Sequence, residues 1–450
     1  DISLTERASV RAMRESDPEE AARRERLRRR SDLSRLHVQE PSLLKKLGGE
    51  KLYMSATQIE NKMMCPFMSF CMDNLKLYRP EKKDLSALNV GNMVHDCMER
   101  LFREHPDRDD FLSMTPDDLR AHARRCTDDF MTQQLGGREN RPKRFLQQFQ
   151  RVTGRLYRLL RHTQDEMRQS QFTTDACELT IGRLGDETGT APYTLTLENG
   201  MTLYLHGKID RVDVTADAET GEQYLRIVDY KTGLHKKEFK LANVYYGLNL
   251  QMLLYLFALL DDPEVYPDAK PAGVLYMPAS TPEAQDRENM KDTETYLREY
   301  FCMSGTVLHD MGILTKMEEA LAGVYIPAKL DEKATESSGT LTLTKDSQVF
   351  TPEQLGRLRT YVEKLVAACA EAYLAGDVDP RPMQGGGNGY YADACAYCKY
   401  RSMCGLTADD TDRIRKPQRQ DTVKKEMRGI LDPAAAAAEA EKKQKGGRRA

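Results

Sequence analysis

The stretch IVDYKTG, residues Ile227–Gly233, places two charged side chains inside an apolar, β-prone sequence. Successive side chains of a strand point to opposite faces, so Asp229 and Lys231 share one face. Taken alone, such a pair fits an edge strand with a solvated face and a cross-strand salt bridge, because charged strand faces in contact with water are common. The rest of the sequence decides between that interpretation and a functional pair.

Composition narrows the class of protein before any further motif is considered. The chain has 450 residues, of which 30% are charged and 40% hydrophobic, with no run of about 18 apolar residues and no signal-peptide pattern. These features predict a soluble cytoplasmic protein of two or three lobes with no membrane partner. The formal net charge of -3 gives no global basic field, so any nucleic-acid site must depend on local residues. The chain lacks an initiator methionine, and we expect it to be part of a longer protein.

The pattern of apolar residues divides the chain into helical and strand-rich regions. Strand signals cluster around Asn199-Gly200, a strong hairpin turn, and AGVLYMP from Ala272 is typical of another buried strand. Helical spacing predicts helices from Ser55 to about Met64 and over residues 90–102 and 110–170. We therefore predict an α/β fold with these regions: a charged helical segment (1–50), a helical region (51–172), a strand-rich core (173–280), an insertion (281–350), a C-terminal helix with clustered cysteines (351–410) and a low-complexity tail (411–450).

Two aspartates and a lysine stand on neighbouring predicted strands. Asp210 interrupts the apolar alternation of LHGKIDRVDV, and Asp229 and Lys231 follow on the next strand. Two carboxylates placed in this way can hold a hard divalent cation such as Mg²⁺ or Mn²⁺, which prefers oxygen ligands. Water on such a cation becomes a nucleophile at neutral pH, and a lysine on the same face can orient it and stabilise the transition state. These residues predict metal-assisted cleavage of a phosphodiester.

Four further polar residues extend this set, although each of them alone is more typical of a structural role. Glu178 lies in the preceding strand, where it can bind metal through water or hold Lys231, and His95 lies beside the apolar stripe of a predicted helix. Gln251 and Tyr255 are one helical turn apart, so their polar ends share a face of an otherwise apolar helix. The ordered series His, Glu, Asp, Asp-x-Lys and Gln-x-x-x-Tyr is much rarer by chance than any of its members.

The series H…GKIDRVD…VDYKTG…QMLLY resembles the nuclease module of the RecB-type branch of the PD-(D/E)XK superfamily. The resemblance implies a restriction-endonuclease-like core, which is a mixed central sheet flanked by helices, with helical insertions. It also implies that His95, Asp210 and Asp229 bind the catalytic metal together with the carbonyl of Tyr230, and that Lys231 acts at the attacking water.

The same resemblance implies a path for the DNA. Gln251 and Tyr255 occupy the positions that line this path in the family. The spacers between the motifs are long in this chain, and Glu178 is therefore the catalytic assignment that depends most on position alone.

Three of the ten cysteines form a cluster near the end of the chain, in CAYCKYRSMC. Cys395, Cys398 and Cys404 need a fourth thiolate to complete a tetrahedral zinc site or a four-cysteine iron-sulfur cluster. Cys65, immediately before a proline, is the first choice and Cys71 the second. The trio alone favours zinc. The cysteines at 97, 126, 177, 302 and 369 show no ligand spacing, and we predict that they are buried small hydrophobic residues.

Beside a RecB-type module, one cysteine before the core and three after it resemble the nuclease domain of AddB, a component of AddAB-type helicase-nucleases. The resemblance implies a [4Fe-4S] cluster on Cys65, Cys395, Cys398 and Cys404 that staples the two ends of the core. It implies cleavage of single-stranded DNA, the 5′-ended strand, delivered by a partner helicase subunit during processing of double-strand breaks. Two alternatives stay open: a free-standing iron-sulfur exonuclease, and a non-catalytic scaffold that binds DNA ends.

Overall fold

The computed structural model of the chain describes residues 18–19, 37–38, 40, 42–43, 51–78, 85–139, 141–182, 189–233, 239–280, 299–385, 393–396, 398–406, 410–434 and 436–437. The strands are β1 Leu52–Ser55, β2 Thr173–Ile181, β3 Tyr193–Thr196, β4 Thr202–Ala216, β5 Gln223–Lys231, β6 Lys270–Pro278, β7 Ser304–Leu308 and β8 Val349–Phe350. The helices are α1 Ala56–Met64, α2 Pro66–Ser69, α3 Ala87–Glu104, α4 Arg108–Ser113, α5 Pro116–Gln133, α6 Lys143–Gln169, α7 Leu241–Tyr245, α8 Gln251–Leu260, α9 Met311–Met317, α10 Glu332–Ser338, α11 Pro352–Leu374 and α12 Gln420–Leu431, with a π-helical turn at Phe70–Asn74.

The chain forms two compact units. The larger unit comprises residues 53–57, 79–367 and 420–450, and the smaller one comprises residues 1–52, 58–78 and 368–419. Within the described residues, no helix is long and apolar enough to cross a membrane.

An eight-stranded mixed sheet forms the core of the larger unit. The strand order is β1-β4-β5-β6-β7-β8, and β2 and β3 also pair with β4. β4 and β5 are antiparallel, β5 and β6 are parallel, and β6 and β7 are antiparallel. This mixed α/β architecture confirms the predicted fold class, and the hairpin predicted at Asn199-Gly200 joins β3 to β4.

The strand that carries IVDYKTG is central. β5 lies between β4 and β6, and its residues from Tyr224 to Tyr230 are all buried. The edge-strand interpretation is therefore wrong, because a central strand has no edge open to water. Helix α8 is almost entirely apolar and buried, as expected for a helix packed against such a sheet.

Two of the predicted regions need correction. Part of the stretch 281–350 belongs to the sheet, because β7 pairs with β6 and β8 pairs with β7. Part of the stretch 411–450 is the helix α12, whose Val423 and Met427 are buried. Neither segment has a regular apolar period along its whole length, so periodicity does not predict these strands or this helix. Most of residues 1–50 lie outside the described residues, as do 281–298.

The starts of the long helices follow local sequence signals. The Ser86 side chain accepts a hydrogen bond from the backbone N–H of Asn89 and caps α3. Thr115 and Asp118 form a reciprocal capping box at the start of α5, with Pro116 in the first turn. These caps fix the ends of the two helices that carry several of the functional residues described below.

A fully buried charge network joins β4, β5 and α6. We use "charge network" for Glu166, Arg211, Asp213 and Arg226, whose side chains are 0% exposed. Asp213 Oδ2 lies 2.9 Å from Arg211 Nη2 and 3.0 Å from Arg226 Nε. Glu166 Oε1 lies 2.5 Å from Arg226 Nη2. Two positive and two negative groups cancel, which is the condition under which buried charges are tolerated.

Asp213→Asn tests this network. The substitution keeps the shape of the side chain but leaves two buried guanidinium groups with one carboxylate, and we expect a loss of about 3–5 kcal/mol of unfolding free energy. Urea unfolding followed by circular dichroism measures the loss. Glu222→Gln, which breaks the exposed ion pair with Lys270, is the matched control and should cost less than about 1 kcal/mol. Equal effects of the two substitutions would contradict the network.

Candidate functional site

Three metal-ligand side chains converge on one point of the larger unit. His95 of α3, Glu178 of β2 and Asp210 of β4 each place one donor atom within 4.8 Å of the others. His95 Nδ1 lies 3.2 Å from Glu178 Oε1 and 3.3 Å from Asp210 Oδ1. The predicted residues from three distant parts of the sequence are therefore neighbours. We call them the acidic group.

Strand pairing brings the two carboxylates together. Cys177 pairs with Arg211 and Leu179 pairs with Ile209, so Glu178 lies opposite Asp210. The backbone of Glu178 has a φ of 51°, a left-handed conformation that costs a non-glycine residue about 1–3 kcal/mol. Such strain within a strand persists only where the surroundings impose it, and it coincides here with the acidic group.

Asp229 and Lys231 share one face of β5, as the two-residue spacing predicts. Lys231 Nζ lies 2.6 Å from Asp229 Oδ2 and 5.2 Å from the centre of the Tyr276 ring. Burial raises the pKa of Asp229 to about 6, against the attraction of Lys231. Within the described residues, the Lys231 ammonium is the only group that pairs with Asp229 Oδ2, which keeps a second lone pair. A buried carboxylate oxygen in this state has a free lone pair for a cation.

The β4–β5 register extends the acidic group to Asp229. Arg211 pairs with Val228, so the same register places Asp210 opposite Asp229. The backbone N–H of Tyr230 donates to Asp210 Oδ2 at 2.8 Å, which fixes the carboxylate of Asp210. No contact bears on the predicted metal bond of the Tyr230 carbonyl, and that assignment stays a prediction.

The charge balance of the acidic group favours a bound cation. Burial lowers the pKa of His95, but hydrogen bonds and attraction from Asp210 and Glu178 outweigh it and raise that pKa to about 10. The protonated His95 ring therefore places a positive charge between two carboxylates, as a bound cation would. Carboxylate oxygens suit Mg²⁺ and Mn²⁺, and an imidazole nitrogen is a ligand for transition metals, so the residues present fit a divalent metal, with Mn²⁺ using all three side chains.

Gln251 and Tyr255 lie near the acidic group from α8. Gln251 Nε2 donates to Asp229 Oδ1 at 3.5 Å. Tyr255 packs against Gly207, where an added Cβ would lie 2.2 Å from the tyrosine hydroxyl. Burial raises the pKa of Tyr255 to about 12, so its hydroxyl stays protonated and available as a donor. A side chain at position 207 would displace this tyrosine.

Lys208 is a site residue that the sequence analysis missed. Its Nζ lies 2.6 Å from Glu178 Oε2, so Lys208 is the lysine partner of Glu178, whereas Lys231 pairs with Asp229. The expectation that Glu178 holds Lys231 is therefore wrong. The available signal was the spacing of GKID, since Lys208 and Asp210 are two residues apart on one strand and share a face.

The clustered cysteines lie together in the smaller unit. Cys65, Cys71 and Cys404 are buried in one cluster with Phe67 and Tyr400, and Cys398 packs against it. Burial raises the pKa of Cys65 to about 11, and its thiol is close enough to Cys395 and Cys398 to interact with them electrostatically. Cys65 therefore meets cysteines that follow it by more than 300 residues, as predicted. Cys71, the second choice for the fourth ligand, lies in the same cluster as Cys65.

Four cysteines of the smaller unit supply the thiols that a metal centre needs. We use "cysteine group" for Cys65, Cys395, Cys398 and Cys404. Four thiolates can bind one zinc ion, or one iron-sulfur cluster in which each thiolate binds a different iron. The residues present therefore fit either centre.

Comparisons with known proteins give consistent matches. Residues 53–405 match the PD-(D/E)XK nuclease superfamily. The chain is similar to an ATP-dependent helicase/deoxyribonuclease subunit of Clostridium kluyveri, with 29% identity over 377 residues that cover 80% of this chain and 30% of the relative. The proteins of the same name from Clostridium novyi and Alkaliphilus metalliredigens are 30% and 28% identical, over 82% and 80% of this chain and 32% and 30% of theirs. The chain spans about a third of the length of these relatives.

Proton release on metal binding tests the acidic group. The pKa of about 10 means that His95 is protonated in the metal-free chain at pH 7.5 and must lose that proton to bind a cation. Affinity should therefore rise with pH between 7.5 and 9.5, by up to about tenfold per unit. Calorimetric titration with Mn²⁺ in two buffers of different ionisation enthalpy counts the protons, and we expect about one per chain.

His95→Ala should abolish this release and weaken binding. His105→Ala, which removes a histidine paired with Asp110 outside the acidic group, is the control and should leave the proton count unchanged. Wild-type binding without proton release would contradict the arrangement described here.

Proposed function

Since the chain belongs to the PD-(D/E)XK nuclease superfamily, we propose that it hydrolyses phosphodiester bonds of single-stranded DNA with Mg²⁺ or Mn²⁺. The observation that carries this proposal is the buried Asp229–Lys231 pair directly beside the acidic group. Asp229 supplies a carboxylate oxygen that can bind the metal. Lys231, 2.6 Å away on the same strand face, supplies a cationic group next to the water that this metal would hold.

The metal ligands in this proposal are His95, Asp210, Asp229 and the carbonyl of Tyr230. A divalent cation held there would lower the pKa of a bound water and neutralise charge on the scissile phosphate. The Tyr230 N–H keeps Asp210 oriented, at 2.8 Å from its Oδ2. Lys208 and His95 hold Glu178, which completes the acidic surround of the site.

Lys231 acts at the attacking water. Its ammonium group lies between Asp229 and the face of Tyr276, so its position is fixed from two sides. From there it donates a hydrogen bond to the water and stabilises the negative charge that grows on the phosphate oxygens. The low exposure of the neighbouring Asp229 strengthens this interaction, because charges attract more in a desolvated site.

Gln251 and Tyr255 contact the DNA strand in this proposal. Gln251 lies at the start of α8 and contacts Asp229. Tyr255 lies one turn later and packs on Gly207, three residues before Asp210. An amide and a protonated phenol are donors suited to phosphate oxygens and sugar.

We further propose that the chain works within a helicase-nuclease. Its relatives are named as helicase/deoxyribonuclease subunits. In that setting a partner helicase subunit delivers a single strand, the 5′-ended one, during processing of double-strand breaks. A free-standing exonuclease would need no such partner, and a scaffold without activity would not need a strained, metal-ready acidic group.

The cysteine group is proposed to hold a [4Fe-4S] cluster. It has four thiols, one for each iron of such a cluster, and two of them, those of Cys65 and Cys404, are buried with Phe67 and Tyr400. Ligation would join residues 58–78 to residues 368–419 within the smaller unit and stabilise it.

Asp229→Asn tests the catalytic proposal. Cleavage of end-labelled single-stranded DNA in Mg²⁺ should fall by about 10³-fold, because several kcal/mol of metal-assisted stabilisation is lost. DNA binding and visible absorption should not change. Lys231→Met should slow cleavage by about 10²–10³-fold while Mn²⁺ binding persists. Asp261→Asn, at the exposed end of α8, is the control with normal activity. Persistent cleavage by Asp229→Asn would place the active site elsewhere.

An anaerobic visible spectrum tests the cluster. The purified chain should be brown with about four irons, and Cys398→Ala should lose the colour and unfold at lower urea concentration. Cys65→Ala and Cys71→Ala form a matched pair, since both thiols are buried in one cluster. We expect the colour to disappear only in Cys65→Ala. A colourless wild-type chain with zinc in the cysteine group would overturn the iron-sulfur assignment.

A further inference from the structure

A second set of metal-ligand side chains lies in the larger unit, between α3 and α5. Cys97 of α3 and His122 and Cys126 of α5 are 0%, 1% and 0% exposed. We call them the Cys-His-Cys trio. Their Sγ and ring nitrogen atoms all lie within 4.8 Å of one another. In the sequence, both cysteines are typical of buried hydrophobic residues, because their spacing along the chain matches no metal motif. The trio forms only when the two helices pack.

The spacing of the trio is compatible with one small tetrahedral ion, since its three donor atoms lie within 4.8 Å of one another. Cys126 Sγ lies 3.4 Å from His122 Nε2. With Zn–S bonds of about 2.3 Å and Zn–N bonds of about 2.0–2.1 Å, tetrahedral angles give a sulfur–nitrogen separation of about 3.6 Å and a sulfur–sulfur separation of about 3.8 Å. His122 and Cys126 are four residues apart on one helix, so both face α3.

The charges of the trio fit a buried divalent ion. Two thiolates and one neutral imidazole around a Zn²⁺ ion sum to zero, so the complex can be buried without a net charge. Without metal, His122 Nε2 contacts the Cys97 carbonyl at 3.1 Å and Cys126 Sγ at 3.4 Å, so the polar atoms of the trio already face one another. Thiolate and imidazole ligands select zinc over Mg²⁺ or Ca²⁺.

We propose that Cys97, His122 and Cys126 bind a structural Zn²⁺ ion that fastens α3 to α5. On binding, the two thiols each release one proton to solvent, and the imidazole stays neutral with its proton on Nδ1. No fourth His, Cys or carboxylate joins the trio in the described part of the chain. The fourth position is therefore taken by water or by a backbone carbonyl.

Glu104 and Arg125 surround the far side of the His122 ring. Arg125 Nη2 lies 3.0 Å from His122 Nδ1, and Glu104 Oε2 lies 3.7 Å from the same atom and pairs with Arg125. A guanidinium only donates, so in this arrangement the ring proton is on Nε2. When Nε2 binds the metal, the proton moves to Nδ1, the Arg125 guanidinium must turn away from that atom, and Glu104, now 3.7 Å away, moves closer to accept the hydrogen bond. Glu104 is thus a positioning residue of the kind that orients a zinc-bound histidine.

The position of the trio gives the ion a consequence for the acidic group. Cys97 lies two residues after His95 on α3. An ion that fixes Cys97 to α5 therefore limits sliding and rotation of the helix that presents His95. This role is independent of the iron-sulfur proposal, because the two sets of cysteines belong to different units.

Metal analysis of the full chain tests the proposal. Zinc and iron are measured together on protein purified without added metal, and we expect one zinc per chain that depends on the trio. Cys126→Ala should lose one equivalent of zinc and keep the iron content. Cys302→Ala, a cysteine whose thiol contacts backbone carbonyls in the same unit, should lose neither. The test uses the difference in zinc content between the wild-type chain and Cys126→Ala. Any zinc in the cysteine group is present in both proteins, so it does not change this difference.

Cobalt provides a second measurement of the trio. Co²⁺ added to the chelator-treated chain should give intense thiolate-to-cobalt absorption that Zn²⁺ abolishes by competition. The wild-type chain should give more of this absorption than Cys126→Ala, because the cysteine group can also bind Co²⁺. Glu104→Gln should weaken Co²⁺ binding by about 10- to 100-fold. Glu99→Gln, which breaks an exposed ion pair with Arg103 on the same helix, should not. Wild-type chain with no zinc and no cobalt–thiolate absorption, or Cys126→Ala with unchanged zinc, would overturn the proposal.

Discussion

The pairing of β4 with β5 determines where the functional and the structural charges of this chain lie. In the observed register, Asp213 pairs with Arg226 and Arg211 with Val228. The same register sets Asp210 opposite Asp229, on the alternate face. A slip by one residue would exchange the two faces, because side chains alternate along a strand. The charge network and the metal-ready carboxylates therefore depend on one set of backbone hydrogen bonds.

The two faces manage buried charge in different ways. The charge network balances two arginines with two carboxylates, so it is complete within the protein. The opposite face holds three carboxylates, Glu178, Asp210 and Asp229, and without a metal they are balanced by two lysines and by the proton on His95. The raised pKa of His95 reports this dependence on a proton, which a bound cation would replace. The difference separates a structural arrangement from a catalytic one.

The cysteines are likewise divided by geometry. The Cys-His-Cys trio has three donor atoms within 4.8 Å of one another, and the described residues of the cysteine group contain no such set of three. The number of cysteines does not predict this difference, because thiols that are distant in sequence become ligands only when the fold brings them to one point.

The sequence by itself determined the α/β class, most strands and helices, the shared face of Asp229 and Lys231 and the residues of the acidic group, because these depend on local periodicity and on recognisable motifs. Only the tertiary structure decided that β5 is central, that Glu178 pairs with Lys208, that β7 and β8 extend the sheet and that Cys97 meets His122 and Cys126. Each of these depends on strand order or helix packing between residues far apart in the chain. Such long-range contacts leave no periodic signal in the sequence, because neither partner's neighbours along the chain carry information about the other.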